Sequence, residues 1–401
     1  MSTIRLLAAD GTTSDAALND SGGYTRPSSP LASRVAYAAA HVVPKAHADN
    51  TPGRPADVDW DATLAFRRNV YSWGLGVADA MDTAQRNMGL DAAATRELIA
   101  RSAEVAREEG GSVVVGVNTD HVDETHITLD RVIDAYKEQL HFTEEQGAGP
   151  VLMASRHLAR VATSADDYRR VYRAVLSSAS APVVLHWLGT AFDPELEGYF
   201  GASDWQTASE VLLEIIAEDP SKVAGVKMSL LNAESEISVR ERLPEGVRMF
   251  TGDDFNYVSL IGPRSLSEPA EGERDGTPAK RTYSDALLGA FAAITPVASA
   301  AIQALDAGDP AAYERILGPT EELSRQVFAA PTFYYKTGVA FLAWLNGHQA
   351  AFQMVGGLHS ARSLPHLSRI VELANASLAL ENPDLARERW HGTLRLNGVD
   401  A

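Results

Sequence analysis

One lysine lies inside a run that is otherwise apolar, VAGVKMSLLN at residues 223–232. The run is short and rich in β-branched residues, which reads as a strand buried on both faces of a parallel sheet. Lysine is almost never fully buried without a partner or a task. Poor solvation disfavours the ammonium, and a shift from about 10.4 to near 7 removes roughly 4–5 kcal/mol of preference for the charged form. A neutral Lys227 amine could attack a carbonyl and form a Schiff base. The alternative is a structural ion pair with Asp253 or Asp254 of the later string TGDD.

Other reactive side chains follow the apolar runs in the same way. In chain order they are His41, Asp82 with Thr83, Asn118 to His121, Ser155 to His157, His186, and Asp253 with Asp254. Each has a plainer reading. A lone histidine at a strand end is often a hydrogen-bonded rim residue. GDD alone is often an Asx-turn capping the next helix. The string NTDHVDETH (118–126) is the most metal-like, yet a solvated acidic loop is the better explanation of it. The set carries more weight than any member, because the same placement recurs after successive runs.

The elements that must hold these residues form a rhythm. Apolar runs recur at 34–43, 76–81, 112–117, 149–154, 182–188, 223–228, 247–252 and 287–294. Helical patterns separate most of them. Asp91 caps one that closes on Gly110. Ser164 with Asp167 resembles a capping box ahead of Tyr168, Val171, Tyr172 and Val175. Thr295-Pro296 opens the helix after the eighth run. The pattern predicts a (β/α)8 TIM barrel, an α/β fold. A doubly wound sheet is the rival; it usually carries a Gly-rich turn after its first strand, and AHVVPKAHADN has none. The expected division is an N-terminal hairpin and linker over 1–33, turning at Asp10-Gly11, the barrel over 34–308, and a helical C-terminal extension over 309–401. Two long loops, 189–204 and 262–285, belong to the catalytic face or its rim.

Composition limits the function. Among 401 residues, 53 acidic against 35 basic side chains give a formal net charge of -18. That argues against nucleic acid, whose phosphates need a basic footprint. The absence of cysteine excludes disulfides, thiolate metal sites and a cysteine nucleophile. No run reaches the ~18 apolar residues of a membrane span, and the N-terminus lacks the apolar core of a signal peptide. A cytoplasmic protein acting on a small molecule is expected, with no membrane or nucleic-acid partner.

With GVK on the sixth strand, TGDD on the seventh and GAFAAITPVASAAIQALDAGD from the eighth, the chain resembles the class I aldolases of the dihydrodipicolinate synthase and N-acetylneuraminate lyase superfamily. The likeness covers about residues 34–345. It implies a barrel with C-terminal helices, a homo-oligomer (dimer or tetramer), no cofactor or metal, and Lys227 as the Schiff-base lysine. Two departures stand out. Where the family ends strand five in a YNVP-like motif with a proton-relaying tyrosine, this chain has HWLG, so His186 takes that place; an imidazole with a pKa of about 6.5 is a competent acid/base. Where the family binds a substrate carboxylate with Gly-Thr-Thr, this chain has Asp82 and Thr83. Two like charges ~4 Å apart repel by about 4 kcal/mol at an effective dielectric of ~20. An α-keto carboxylate is therefore disfavoured unless Arg86 or Arg156 neutralises Asp82.

The sequence thus points to a divergent, Schiff-base-forming lyase, an aldolase or dehydratase, for a small polyhydroxylated carbonyl compound such as a keto sugar or sugar acid. Lys227 forms the iminium and His186 moves the hydroxyl proton. Asp82, Thr83, His41, Arg156, Asp253 and Asp254 line the substrate pocket. The rivals are a metal-dependent isomerase or aldolase using His41, His186, Asp82 and Asp253 as ligands, and a non-catalytic sugar-binding barrel.

Overall fold

Eight short strands carry almost unbroken runs of buried residues, and a sheet made of such strands must be covered on both faces. A computed structural model describes residues 2–124, 126–263 and 281–401. In it the hairpin strands β1 (Thr3–Leu7) and β2 (Thr13–Ala17) precede β3 (Ala36–Ala39), β4 (Gly76–Asp79), β5 (Val113–Val117), β6 (Gly149–Met153), β7 (Val183–Leu188), β8 (Val223–Ser229), β9 (Arg248–Thr251) and β10 (Asp285–Leu288). Strands β3 to β10 close into a parallel barrel, with β10 pairing both β9 and β3. Helices surround it, and the chain beyond Asp306 is helical.

Local signals place the helices where the sequence expects them. Asp91 accepts from the Ala94 amide, and the helix Ala92–Glu109 stops at Gly110 in the left-handed conformation. The Ser164–Asp167 capping box opens Ala165–Leu176. Strand eight differs. The run at 287–294 is strand only to Leu288, then turns into the helix Gly289–Ala293. A continuous apolar run has no period that separates a buried strand from a buried helix. Of the loop expected at 262–285, residues 264–280 lie outside the described residues.

Alternation along the strands sends Ala39, Ala78, Val114, Val151, Met153, Val184, Phe250 and Leu287 into one lumenal cluster. His186 shares parity with Val184, and Lys227 pairs in register with His186 on one side and Phe250 on the other. Those pairings point both polar side chains into the lumen, at the C-terminal ends of their strands.

Behind the sheet, Arg67 and Asp79 form a fully buried bidentate pair, with contacts of 2.9 and 2.8 Å. The spare Arg67 donors go to the carbonyls of His41 and Thr63, and Ser102 donates to Asp79. Full satisfaction of this kind is what makes a buried pair tolerable.

The hairpin is antiparallel and turns through Gly11 at φ 85°. It docks on the C-terminal helices. The Leu7 amide donates to Ser368 Oγ (2.7 Å), the Arg5 amide to His391 Nε2 (2.9 Å), and Trp390 Nε1 to the Arg5 carbonyl (2.6 Å). Among the described residues no helix is long and apolar enough to cross a membrane.

Candidate active site

Lys227 projects from β8 into the lumen and is 7% exposed. Its Nζ has no hydrogen bond or ion pair to any described residue. Room for its stem comes from the residue that follows β9: a Cβ built at Gly252 would lie 2.9 Å from Lys227 Cε and 2.2 Å from Ser229 Oγ. Burial pulls the Lys227 pKa below the usual lysine range, and the negative charges of Asp82 and Asp254 oppose that pull. The two candidate ion-pair partners are placed differently. Asp253 turns away to cap its own loop, accepting from the amides of Phe255 (2.9 Å) and Asn256 (3.2 Å). Asp254 is buried behind Lys227; its Oδ1 accepts from the Ala290 amide (2.9 Å), and burial pushes its pKa up to about 8.

His186 stands beside Lys227. Its Nε2 lies 3.2 Å from Ser229 Oγ, and its Nδ1 is buried without a partner. Burial first, then the positive charge of Lys227, holds the imidazole well below its ordinary pKa. This differs from the expectation of a histidine titrating at about 6.5. At neutral pH His186 is a neutral imidazole, with one nitrogen able to accept a proton and no acidic imidazolium proton to give.

Asp82 and Thr83 follow β4 and reach the same end of the barrel. Asp82 is half-buried, has no ion-pair partner among the described residues, and lies within electrostatic reach of Lys227, Arg156 and Lys336. Neither arginine considered for it is bound to it. Arg86 is committed to Asp120 and to the carbonyls of Ala80 and Gly116. Arg156 pairs with Asp193 at 2.7 Å.

The C-terminal helix Tyr335–Leu345 supplies two site residues that the sequence reading did not find. Tyr335 Oη is 2.8 Å from Thr83 Oγ1, and its ring stacks on Phe328 with centroids 4.3 Å apart. Lys336 is 3% exposed and donates to the Phe333 carbonyl at 3.1 Å. Burial lowers its pKa to about 8, against the pull of Asp82 and Asp193. The clue was present: in FYYKTGVAFLAWL, Lys336 is the lone charge of an apolar helix, the same anomaly that marks Lys227.

Other expected residues sit elsewhere. His41 Nε2 meets Gln349 Oε1 at 3.0 Å, and its ring packs edge-on to Phe66. Burial and the nearby Arg67 push its pKa down to about 3. It belongs to the Arg67–Asp79 cluster, not to the lumen. Thr119 binds Ser155 and His157, and His121 binds Glu138 and Gln139. Among the described residues no three His, Asp or Glu side chains converge on a common point. A cavity of about 760 Å³ opens at the opposite, N-terminal mouth, lined by Tyr37, Val184, Arg248 and Phe250. It lies below the lumenal layer that separates it from Lys227, and neither Lys227 nor His186 lines it.

A family model described as "Protein of unknown function (DUF993)" matches residues 4–399. The chain belongs to the DUF993 family. No curated protein matches this DUF993 chain. Solved structures do. Dihydrodipicolinate synthase from Aquifex aeolicus is similar at 13% identity and a TM-score of 0.61, covering 87% of this chain and 100% of its own. The enzyme from Bacillus clausii gives 14%, 0.60, 86% and 98%; that from Bacteroides thetaiotaomicron gives 14%, 0.59, 84% and 98%. At such identities the likeness is one of fold.

Proposed function

We propose that this DUF993 chain is a Schiff-base-forming class I lyase, an aldolase or dehydratase, acting on a small polyhydroxylated carbonyl compound, a keto sugar or sugar acid. One observation carries the reading: a buried lysine at the C-terminal end of a barrel strand, with no partner for its Nζ and a pKa drawn down by burial. A structural lysine in that position would be paired. The fold shared with dihydrodipicolinate synthases supports it, since the chemistry of such barrels gathers at that face.

Lys227 attacks the substrate carbonyl, and the iminium then serves as electron sink for breaking or making a C–C bond or for eliminating water. His186, unprotonated and linked to Ser229, accepts the substrate hydroxyl proton. Asp82 accepts hydrogen bonds from sugar hydroxyls, charge-assisted contacts worth roughly 1.5–3 kcal/mol each. Thr83, Tyr335 and Arg156 orient the rest of the substrate, with Asp253 holding the loop that carries Asp254. A homo-oligomer, dimer or tetramer, is part of the same reading, and light scattering tests it.

Borohydride reduction with dihydroxyacetone, D-fructose or pyruvate, followed by peptide mass analysis, tests the mechanism. A reduced adduct of a hydroxylated ketone on Lys227, absent from Lys227→Ala, is expected. Lys227→Arg does not rescue it, because the guanidinium stays charged. No adduct with any of the three, or an adduct on another lysine, overturns the reading.

A further inference from the structure

Making an iminium from a lysine and a ketone expels the carbonyl oxygen as water, and that step needs an acid beside the nitrogen. His186 is unprotonated and cannot be that acid. Asp253 has both carboxyl oxygens engaged in its own turn, with the Phe255 and Asn256 amides and the Asn256 side chain. Asp254 is held differently. Ala290 N–H fixes its Oδ1, Ser324 Oγ fixes its backbone carbonyl (2.6 Å), and its Oδ2 has no hydrogen-bond partner among the described residues. Asp254 is 4% exposed and lies two residues beyond Gly252, whose missing side chain leaves room for the Lys227 stem.

We infer that Asp254 is the acid of imine formation, its free oxygen carrying one proton between the Lys227 amine and the departing carbonyl oxygen. The inference rests on the Schiff-base reading of Lys227. The step balances within the pair. The Lys227 amine adds to the carbonyl carbon; one amine proton and the Asp254 proton end on the carbonyl oxygen, and the C–O bond breaks. The products are an iminium that keeps one N–H, one water, and an Asp254 carboxylate that faces the new cation. Net charge is unchanged, so no bare charge is created in a buried site. The opposite shifts of Lys227 and Asp254 bring their proton affinities together, which is the condition for easy transfer between them. Among the described residues, the charged or titratable groups facing the pair are Asp82 from the β4 end, His186 from β7, Asp253 and Tyr257 from beyond β9, and Tyr335 from the helix Tyr335–Leu345.

Asp254→Asn keeps an oxygen for the Ala290 amide and loses the transferable proton. With dihydroxyacetone as probe, its borohydride trapping rate on Lys227 should fall by about 10²–10⁴. Acylation of Lys227 by N-hydroxysuccinimidyl acetate needs a free amine but expels no water, and should stay equal to wild type or become faster. If both rates fall together, Asp254 merely sets the charge of Lys227 and the inference is overturned. Trapping at the wild-type rate overturns it as well while leaving the Schiff-base reading intact. A wild type that yields no adduct overturns both. Should the variant not fold, infrared difference spectra of the wild type decide: loss of a protonated-carboxyl band on adduct formation supports the inference, and no such loss refutes it.

Discussion

Gly252→Ala probes how tightly the barrel positions Lys227. The added methyl would sit 2.2 Å from Ser229 Oγ, 2.8 Å from the Met228 carbonyl and 2.9 Å from Lys227 Cε, all closer than the 3.0 Å that real Cβ atoms respect. Ser229 can rotate away only by giving up its contact with His186. The Met228 carbonyl is backbone and accepts from the Gly252 amide at 2.7 Å, so it moves only with the β8–β9 pairing. The side chain free to yield is Lys227 itself. Overpacking of this kind costs about 1–3 kcal/mol of stability, and displacing a nucleophile by about 1 Å costs roughly 10²-fold in rate. Urea unfolding and the borohydride trapping rate with dihydroxyacetone measure the two effects separately. Ser229→Ala combined with Gly252→Ala removes the nearest clash and should recover part of the stability but not the trapping rate. Trapping at the wild-type rate in Gly252→Ala would show that the stem of Lys227 is not seated against Gly252, and the geometry argued for the site would fall.

His186→Gln should lower kcat by about 10²–10⁴, and wild type should show no kinetic limb near pH 6–7 from this residue, because burial has moved its titration well below; a limb there that vanishes in the variant contradicts the structure. Lys336 titrates at about 8 when folded and near 10.5 when unfolded. The unfolded chain therefore binds the extra proton between those values, stability rises with pH across that window, and the penalty is fully present below pH 8. Lys336→Met should gain on the order of 3 kcal/mol at pH 7, fading as pH approaches 10.5, as read from denaturant midpoints. Arg67→Met leaves Asp79 buried without its cation and should cost about 3–5 kcal/mol, much of it recovered in Arg67→Met with Asp79→Leu. Asp82→Asn should weaken trapping of D-fructose relative to pyruvate; an unchanged ratio means that Lys336 and Arg156 already cancel the Asp82 charge.

The barrel was legible because its signals are local. Strands buried on both faces read as apolar runs, and caps such as Asp91 and Ser164 mark where helices begin. Lys227 and His186 were legible for the same reason, since each lies inside a strand whose alternation decides which way it points. His41 was not. Its strand ends at Ala39, and beyond a strand end alternation no longer fixes a side; the chain there turns toward Arg67 and Gln349. The neighbours Asp253 and Asp254 differ in role through hydrogen bonds to residues up to 70 positions away, which no short string encodes. Lys336 and Tyr335 carried the right anomaly, but only the path of the C-terminal helix brings them to Thr83 and Asp82.

The docking of the hairpin on the last helices has a consequence for how the molecule is born. Arg5 and Leu7 are synthesised 361–386 residues ahead of their partners Ser368, Trp390 and His391. At 5–20 residues per second, that interval is roughly 20–70 s. Through it a two-stranded ribbon, marginal by itself, waits with Ile4 and Leu6 uncovered, although both are buried in the finished fold. Trp390 is the hinge of the arrangement, since it binds the Arg5 carbonyl and also packs edge-on to Phe341 of the helix that carries Tyr335 and Lys336. The helix that carries Tyr335 and Lys336 is thus tied to the hairpin through one tryptophan, and that tie forms only once synthesis has passed Trp390.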